Sequence, residues 1–155
     1  MSTNTFTLQS LTEEEQGYVF KSFSRNDALT LGLDIIERAK AFPDPVCVEI
    51  TINGLVVFRY FMEGAILDSN YWLDRKRKSV MLMSMSSLRF LYWLEASHAT
   101  LSDRKLNPDD YAACGGGYPI RIEGMDVVGS ICVSGLPDHL ADHQLITDAL
   151  AAFLS

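Results

Sequence analysis

Three stretches of the chain gather side chains that could bind or transform a ligand. In "NYWLDRKRK", residues 70–78, Asn70, Trp72, Arg75 and Lys76 stand close together, and Arg77 and Lys78 add charge. A helix starting near Ser69 puts these cations at its N-terminal end, where they oppose the macrodipole, so stability is a poor reason for them. A carboxylate or phosphate held by Arg75 or Lys76 is a better one. The competing reading is a solvated helix face, with Glu63, Asp68 and Asp74 as partners. "DHLADH" sets His139 and His143 one helical turn apart, offset by one position from Asp138 and Asp142. Zinc needs three or four convergent ligands; here the glutamate of HExxH and a third ligand are missing, so surface or interface histidines are expected and no metal. "CGGGYP" is neither a Walker nor a Rossmann loop, because its glycines precede a strand and no GK[ST] occurs. Gly115, Gly116 and Gly117 serve either a sharp turn or an anion nest of backbone amides. Cys114 is a candidate thiolate whose sequence neighbours carry no charge. There is no GxSxG; Ser130 and Ser134 fall inside a strand, so no catalytic residue is identified.

The elements that must position these residues are legible from periodicity. "LTEEEQ" suggests a short helix capped by Thr12, and "GYVFKSF" a short strand. "SRNDALTLGLDIIERAKAF" is an amphipathic helix opened by Ser24 or Asn26 and stopped by Pro43, with Leu29, Leu33, Ile36 and Ala39 or Lys40 as its expected apolar stripe. "VCVEITI" and "LVVFRYFM" flank Asn53-Gly54, a strong hairpin signal. Alternation of Val46, Val48, Ile50 and Ile52 with Cys47, Glu49 and Thr51 turns one face to the core. A long helical pattern follows from Ser69 to His98, with a bend expected at its serines and Trp72, Leu73, Val80, Met83, Leu88, Leu91 and Leu94 as the buried stripe. A helical turn is expected after Pro108. "GYPIRIEG" and "DVVGSICVSG" form a second hairpin over "EGMD", and Asp138 caps a closing helix. Two hairpins and one further strand predict an α+β fold: an antiparallel sheet of about five strands with helices on both faces.

The chain has 155 residues, enough for one domain that buries roughly two thirds of its unfolded surface. Its net charge of −7 argues against nucleic acid and anionic membranes as general partners, though a local basic pocket remains compatible with it. No apolar run approaches a membrane span, and the start lacks the basic and apolar regions of a secretory signal. Three cysteines without regular spacing suit free thiols in a reducing, cytoplasmic setting, with Cys47 and Cys132 inert inside strands.

Two blocks carry a resemblance. "NYWLDRKRKSV" matches an N-x-W-x-x-R-K pattern. "DDYAACGGGYPIRIEGMDVVGSICVSGLP", followed by "DHQLI", matches D-Y-A-x-x-G-G-x-x-P-I and then V-G-x-x-x-V-S-G-L-P with D-H. Together they resemble uncharacterised cytosolic proteins of the haem-degrading-domain, GlcG-like superfamily over residues 18–153. The resemblance implies a profilin-like α/β/α sandwich at 18–155, with 1–17 as an N-terminal extension or short helix. It also implies homo-oligomers, and a small anionic ligand for which haem is the named candidate. Asn70, Trp72, Arg75, Lys76, Cys114, Gly115, Gly116 and His143 are the residues it assigns to binding. Haem would need an axial donor from His143, His139, His98 or Cys114, propionate partners from Arg75 and Lys76, and an apolar slot with Tyr71, Trp72 and Tyr118. Cys114 stands where histidine often precedes the double glycine in that branch, and a thiolate also binds haem iron. The alternatives are a non-catalytic, homo-oligomeric protein-interaction module, and an enzyme for a small anionic metabolite at a subunit interface of Arg75, Lys76, Gly116 and His143.

Overall fold

The computed structural model describes residues 5–155. Its elements are α1 (Leu8–Gly17), β1 (Val19–Phe20), α2 (Arg25–Ala39), β2 (Cys47–Ile52), β3 (Leu55–Phe61), α3 (Asp68–Met83), α4 (Ser87–Ala96), a 3-10 turn (Ser102–Arg104), β4 (Gly117–Ile122), β5 (Val127–Ser134) and α5 (His139–Leu154). Both hairpins form where expected. The strands assemble in the order β1-β4-β5-β2-β3. β2/β3, β2/β5 and β4/β5 are antiparallel. β1 adds two residues to the edge in parallel, Val19 opposite Arg121 and Phe20 opposite Ile122, so the five-stranded sheet of this α+β fold is mixed.

Period-2 alternation divides the sheet between two helical layers. Val48, Ile50, Tyr118, Ile120, Ile131 and Val133 join the main core with Leu31 and Ile35 of α2 and Ile146 and Leu150 of α5. The opposite face carries Cys47, Glu49, Thr51, Ser130 and Cys132 beneath α3, a layer with far more polar atoms. Burial pushes the Cys47 and Cys132 thiols up, to about 11 and about 12, so both are protonated and inert.

Local chemistry sets most helix ends. Ser24 and Asp27 form a capping box at α2, and the Asp138 side chain accepts from Leu140 N–H at α5. Three expectations need correction. α1 is capped by Thr7, not Thr12, whose hydroxyl donates back to Leu8 O inside the helix. Leu29 and Leu33 are exposed, because α2 buries Ala28, Leu31, Gly32, Ile35 and Ala39. The period was right and the phase was shifted by the small residues that let α2 approach the sheet. The long helix is two: Ser84 turns left-handed at φ 55°, and Ser86 caps α4 by accepting from Arg89 N–H.

Candidate functional site

A cavity of about 600 Å³ opens where the C-terminal end of β5, the start of α5 and the first turns of α3 meet. Its lining includes Ile66, Trp72, Lys76, Cys114, Leu136, His139 and Asp142. α3 supplies Trp72 and Lys76 four residues apart, hence on one helical face. The loop before β4 supplies Cys114. That loop is tied to the helical layer by two serine hydroxyls: Ser79 Oγ accepts from Ala112 N–H at 2.9 Å, and Ser87 Oγ accepts from Gly117 N–H at 2.9 Å.

Lys76 is buried at the cavity floor. Its Nζ donates to Val133 O at 2.9 Å and to Asp142 Oδ2 at 3.3 Å, while Asp142 Oδ1 accepts from Leu136 N–H at 3.3 Å. Burial raises the Asp142 pKa to about 6 against the opposing pull of the Lys76 charge, so the carboxyl is ionised at neutral pH and takes a proton under mild acid. Burial also raises the Cys114 thiol, with Lys76 and Arg75 pulling it back only in part. His139 accepts at Nδ1 from Gly115 N–H at 2.8 Å. The neutral ring therefore carries its proton on Nε2, and burial lowers its pKa and keeps it neutral. In that tautomer His139 offers a hydrogen-bond donor and no lone pair for a metal. The site thus holds an ammonium, a carboxyl able to exchange a proton, a neutral thiol and an imidazole N–H. No nucleophile stands at hydrogen-bond distance from a base. Among the described residues, no three His, Cys, Asp or Glu side chains gather as a metal site.

The motif residues part company in space. Trp72, Lys76 and Cys114 line the cavity. Gly116 packs beside Lys76 Nζ, and Gly115 lies against His139 O. Arg75 covers the Trp72 ring with its guanidinium carbon 4.2 Å from the centroid and donates to Pro108 O, outside the lining. Asn70 turns to the opposite flank of α3, where its Oδ1 accepts from Arg59. His143 is fully buried behind the glycine turn, its Nε2 3.0 Å from Glu14 Oε1 and its ring edge-on to Phe6. His98 is exposed after α4. α3 begins at Asp68, so Arg75–Lys78 fall in its middle turns and do not face the positive end of its dipole as expected.

A second cavity, about 650 Å³, lies on that opposite flank, lined by Glu49, Thr51, Val56, Arg59, Asn70, Asp74, Arg77 and Lys78 among others. Glu49 is buried there, accepting from Arg59 Nε at 2.9 Å and Arg77 Nη1 at 2.6 Å. Sequence reasoning missed it. The signal was a glutamate at the centre of a strand with helices expected on both faces, which forces a buried carboxylate to find cations.

A family model described as haem degrading protein HbpS-like matches residues 23–151. A UPF0303 protein of Streptomyces coelicolor is 35% identical over 149 residues, covering 96% of this chain and 94% of the relative. The crystal structure of the Ybr137w protein superposes with a TM-score of 0.87 at 26% identity, covering 97% of this chain and 88% of that one. A structure described as a PduOC:heme complex gives 0.70 at 24% identity, covering 84% and 94%, a likeness of fold.

Proposed function

The chain belongs to the HbpS-like family of haem degrading proteins, and from that premise we propose that its 600 Å³ cavity binds a small anionic ligand, with haem the named candidate. The observation that carries the reading is the meeting of Trp72, Lys76 and Cys114, from two separate sequence blocks, on one cavity. The volume lies within the roughly 300–1,000 Å³ usual for ligand pockets. The donor set fits haem in one way. The Cys114 thiol, once deprotonated, can meet iron, whereas His139 spends Nδ1 on Gly115 and His143 lies outside the lining. Trp72, Ile66 and Leu136 supply apolar wall, and Lys76, which gives two of its three N–H donors to Val133 O and Asp142, keeps the third for a propionate. A PduOC structure of the same fold is described with haem, which supports the candidate. Bound haem would bring one-electron and oxygen chemistry; Cys114 and Lys76 would hold and orient it, with no catalytic role assigned.

Titration of the purified chain with haemin tests this. A saturable, shifted Soret band that Cys114→Ala abolishes and His143→Gln spares is expected. A flat titration, or one unchanged by Cys114→Ala, overturns it.

A homo-oligomeric interaction module is the second reading. It is favoured by three exposed apolar residues around the start of α3: Ile66, which lines the same cavity, and Leu67 and Tyr71, at 67%, 71% and 60% exposure. Light scattering showing a stable oligomer that Leu67→Asp dissociates supports it, and monomer at all concentrations defeats it. Among the described residues no helix is long and apolar enough to cross a membrane. A cytoplasmic setting is inferred from the free cysteines.

A further inference from the structure

The sheet ends at β3, whose outer backbone edge has no partner strand among the described residues. Natural proteins guard such edges with lysine, proline or a covering helix. β3 reads Leu-Val-Val-Phe-Arg-Tyr-Phe and has neither lysine nor proline. Its flanks differ in character. Register places Leu55, Phe58 and Tyr60 opposite Ile52, Ile50 and Val48, on the α2 side. There Leu55 and Tyr60 are about half exposed, and α2, which packs against β3, leaves Leu29 and Leu33 exposed too. Arg59 stands opposite Glu49 on the α3 side and opens into the second cavity.

That cavity is a local exception in a chain of net charge −7. It sets three cations, Arg59, Arg77 and Lys78, against two carboxylates, Glu49 and Asp74. Glu49 binds both guanidiniums and so holds them side by side, with Asn70 and Asp74 completing the fence. These bonds use Nε and Nη2 of Arg59 and leave its Nη1 directed to no protein partner among the described residues. Lys78 reaches Asp110 only at 3.9 Å, with both side chains about half exposed.

We propose that the β3 edge, with the Arg59–Arg77–Lys78 cleft beside it, is a docking site for an extended peptide of alternating acidic and apolar residues. Backbone pairing along β3 supplies register. Period-2 alternation then sends the acidic side chains towards the cations and the apolar ones towards Leu55 and Tyr60. A second copy of this chain suits the edge less well: antiparallel β3 pairing would bring two Arg59 side chains to the same face near one another. The charge of the cleft therefore selects a partner strand of opposite sign.

The test uses the full chain, labelled for amide NMR, and three capped probes: an alternating valine–glutamate peptide, its valine–lysine counterpart, and the glutamate peptide with alternate amides N-methylated. Only the first should bind, with shifts confined to Leu55–Phe61 and the Arg77–Lys78 turn and weakened by salt. Lys78→Glu, at an exposed position that leaves Glu49 paired, should weaken it several-fold. Equal binding of the glutamate and lysine probes, binding that survives N-methylation, shifts elsewhere, or no binding at millimolar peptide overturns the proposal. So does a dimer of the free chain whose β3 amides are already protected from exchange.

Discussion

Lys76 and Asp142 form a buried ion pair: Nζ lies 3.3 Å from Oδ2, and each side chain is 3% exposed. The pair joins the middle of α3 to the first turn of α5 across the end of β5. Removing the Lys76 charge strands the Asp142 carboxylate in a poorly solvated site, which costs about 3–5 kcal/mol. Lys76→Met should lose that much in urea unfolding at pH 7, and Asp142→Leu less, because the buried carboxylate is itself the disfavoured ion. The double variant should recover part of the loss, because neither charge is then left alone. Additive losses would show that the two side chains act independently.

Asp142 also sets a pH dependence. Its folded pKa, about 6, lies above the ordinary carboxyl value of 3.8 because burial favours the neutral form. The folded state therefore binds more protons than the unfolded state between these values. The group's favourable contribution is complete below about pH 4 and is lost as pH rises through about 6. Lys76, Asp138 and the Leu136 N–H face the carboxyl and set the size of the effect. Unfolding free energies measured from pH 4 to pH 7 should fall more steeply with pH for the wild type than for Asp142→Asn. Parallel curves would place the Asp142 pKa at its ordinary value.

What could be read from sequence follows the range of the interaction. The Asn53-Gly54 and "EGMD" hairpins and the Ser24 and Asp138 caps depend on residues within a few positions, and each stands where expected. The phase of α2 depends on which residues let a helix approach Phe58, so the larger Leu29 and Leu33 misled where Gly32 and Ala28 decided. The site divides for a simpler reason. Asn70 and Trp72 are two residues apart on a helix, about 200° around the axis, so one motif serves two cavities. Asp142 could be suspected from its neighbours, but its pairing with Lys76 is purely tertiary.

α1 is anchored by charge. Glu15, 2% exposed, accepts from Arg121 Nη1 at 2.6 Å, Arg89 Nη1 at 3.3 Å and the Ser86 N–H at 3.0 Å. Leu11 is the only large apolar residue α1 buries, and Glu14, beside His143 Nε2 and the Tyr118 hydroxyl, adds a second polar tie. Glu15→Ala leaves two guanidiniums and a buried N–H uncompensated, a loss of about 3 kcal/mol or more. Glu15→Gln keeps an acceptor and should lose less. Amide exchange should show α1 opening first in both, and unchanged protection of Leu11 in Glu15→Ala would refute the anchor.

Gly116 couples the glycine turn to Lys76. Its φ is +121°, a conformation that L side chains rarely adopt, and a Cβ there would stand 2.4 Å from Val133 O and 2.6 Å from Lys76 Nζ. Gly116→Ala therefore combines backbone strain, about 1–3 kcal/mol, with an overpacking cost of similar size. Gly124 separates the two contributions. It also has positive φ, +79°, but nothing lies within 4 Å of a Cβ built there, so Gly124→Ala should show strain alone. The Gly116 variant should be the less stable by at least about 1 kcal/mol. Because the methyl displaces the ammonium from Val133 O, it should also flatten the haemin titration more than Gly124→Ala does. Equal losses from the two alanines would mean that the turn strains the backbone without bearing on Lys76.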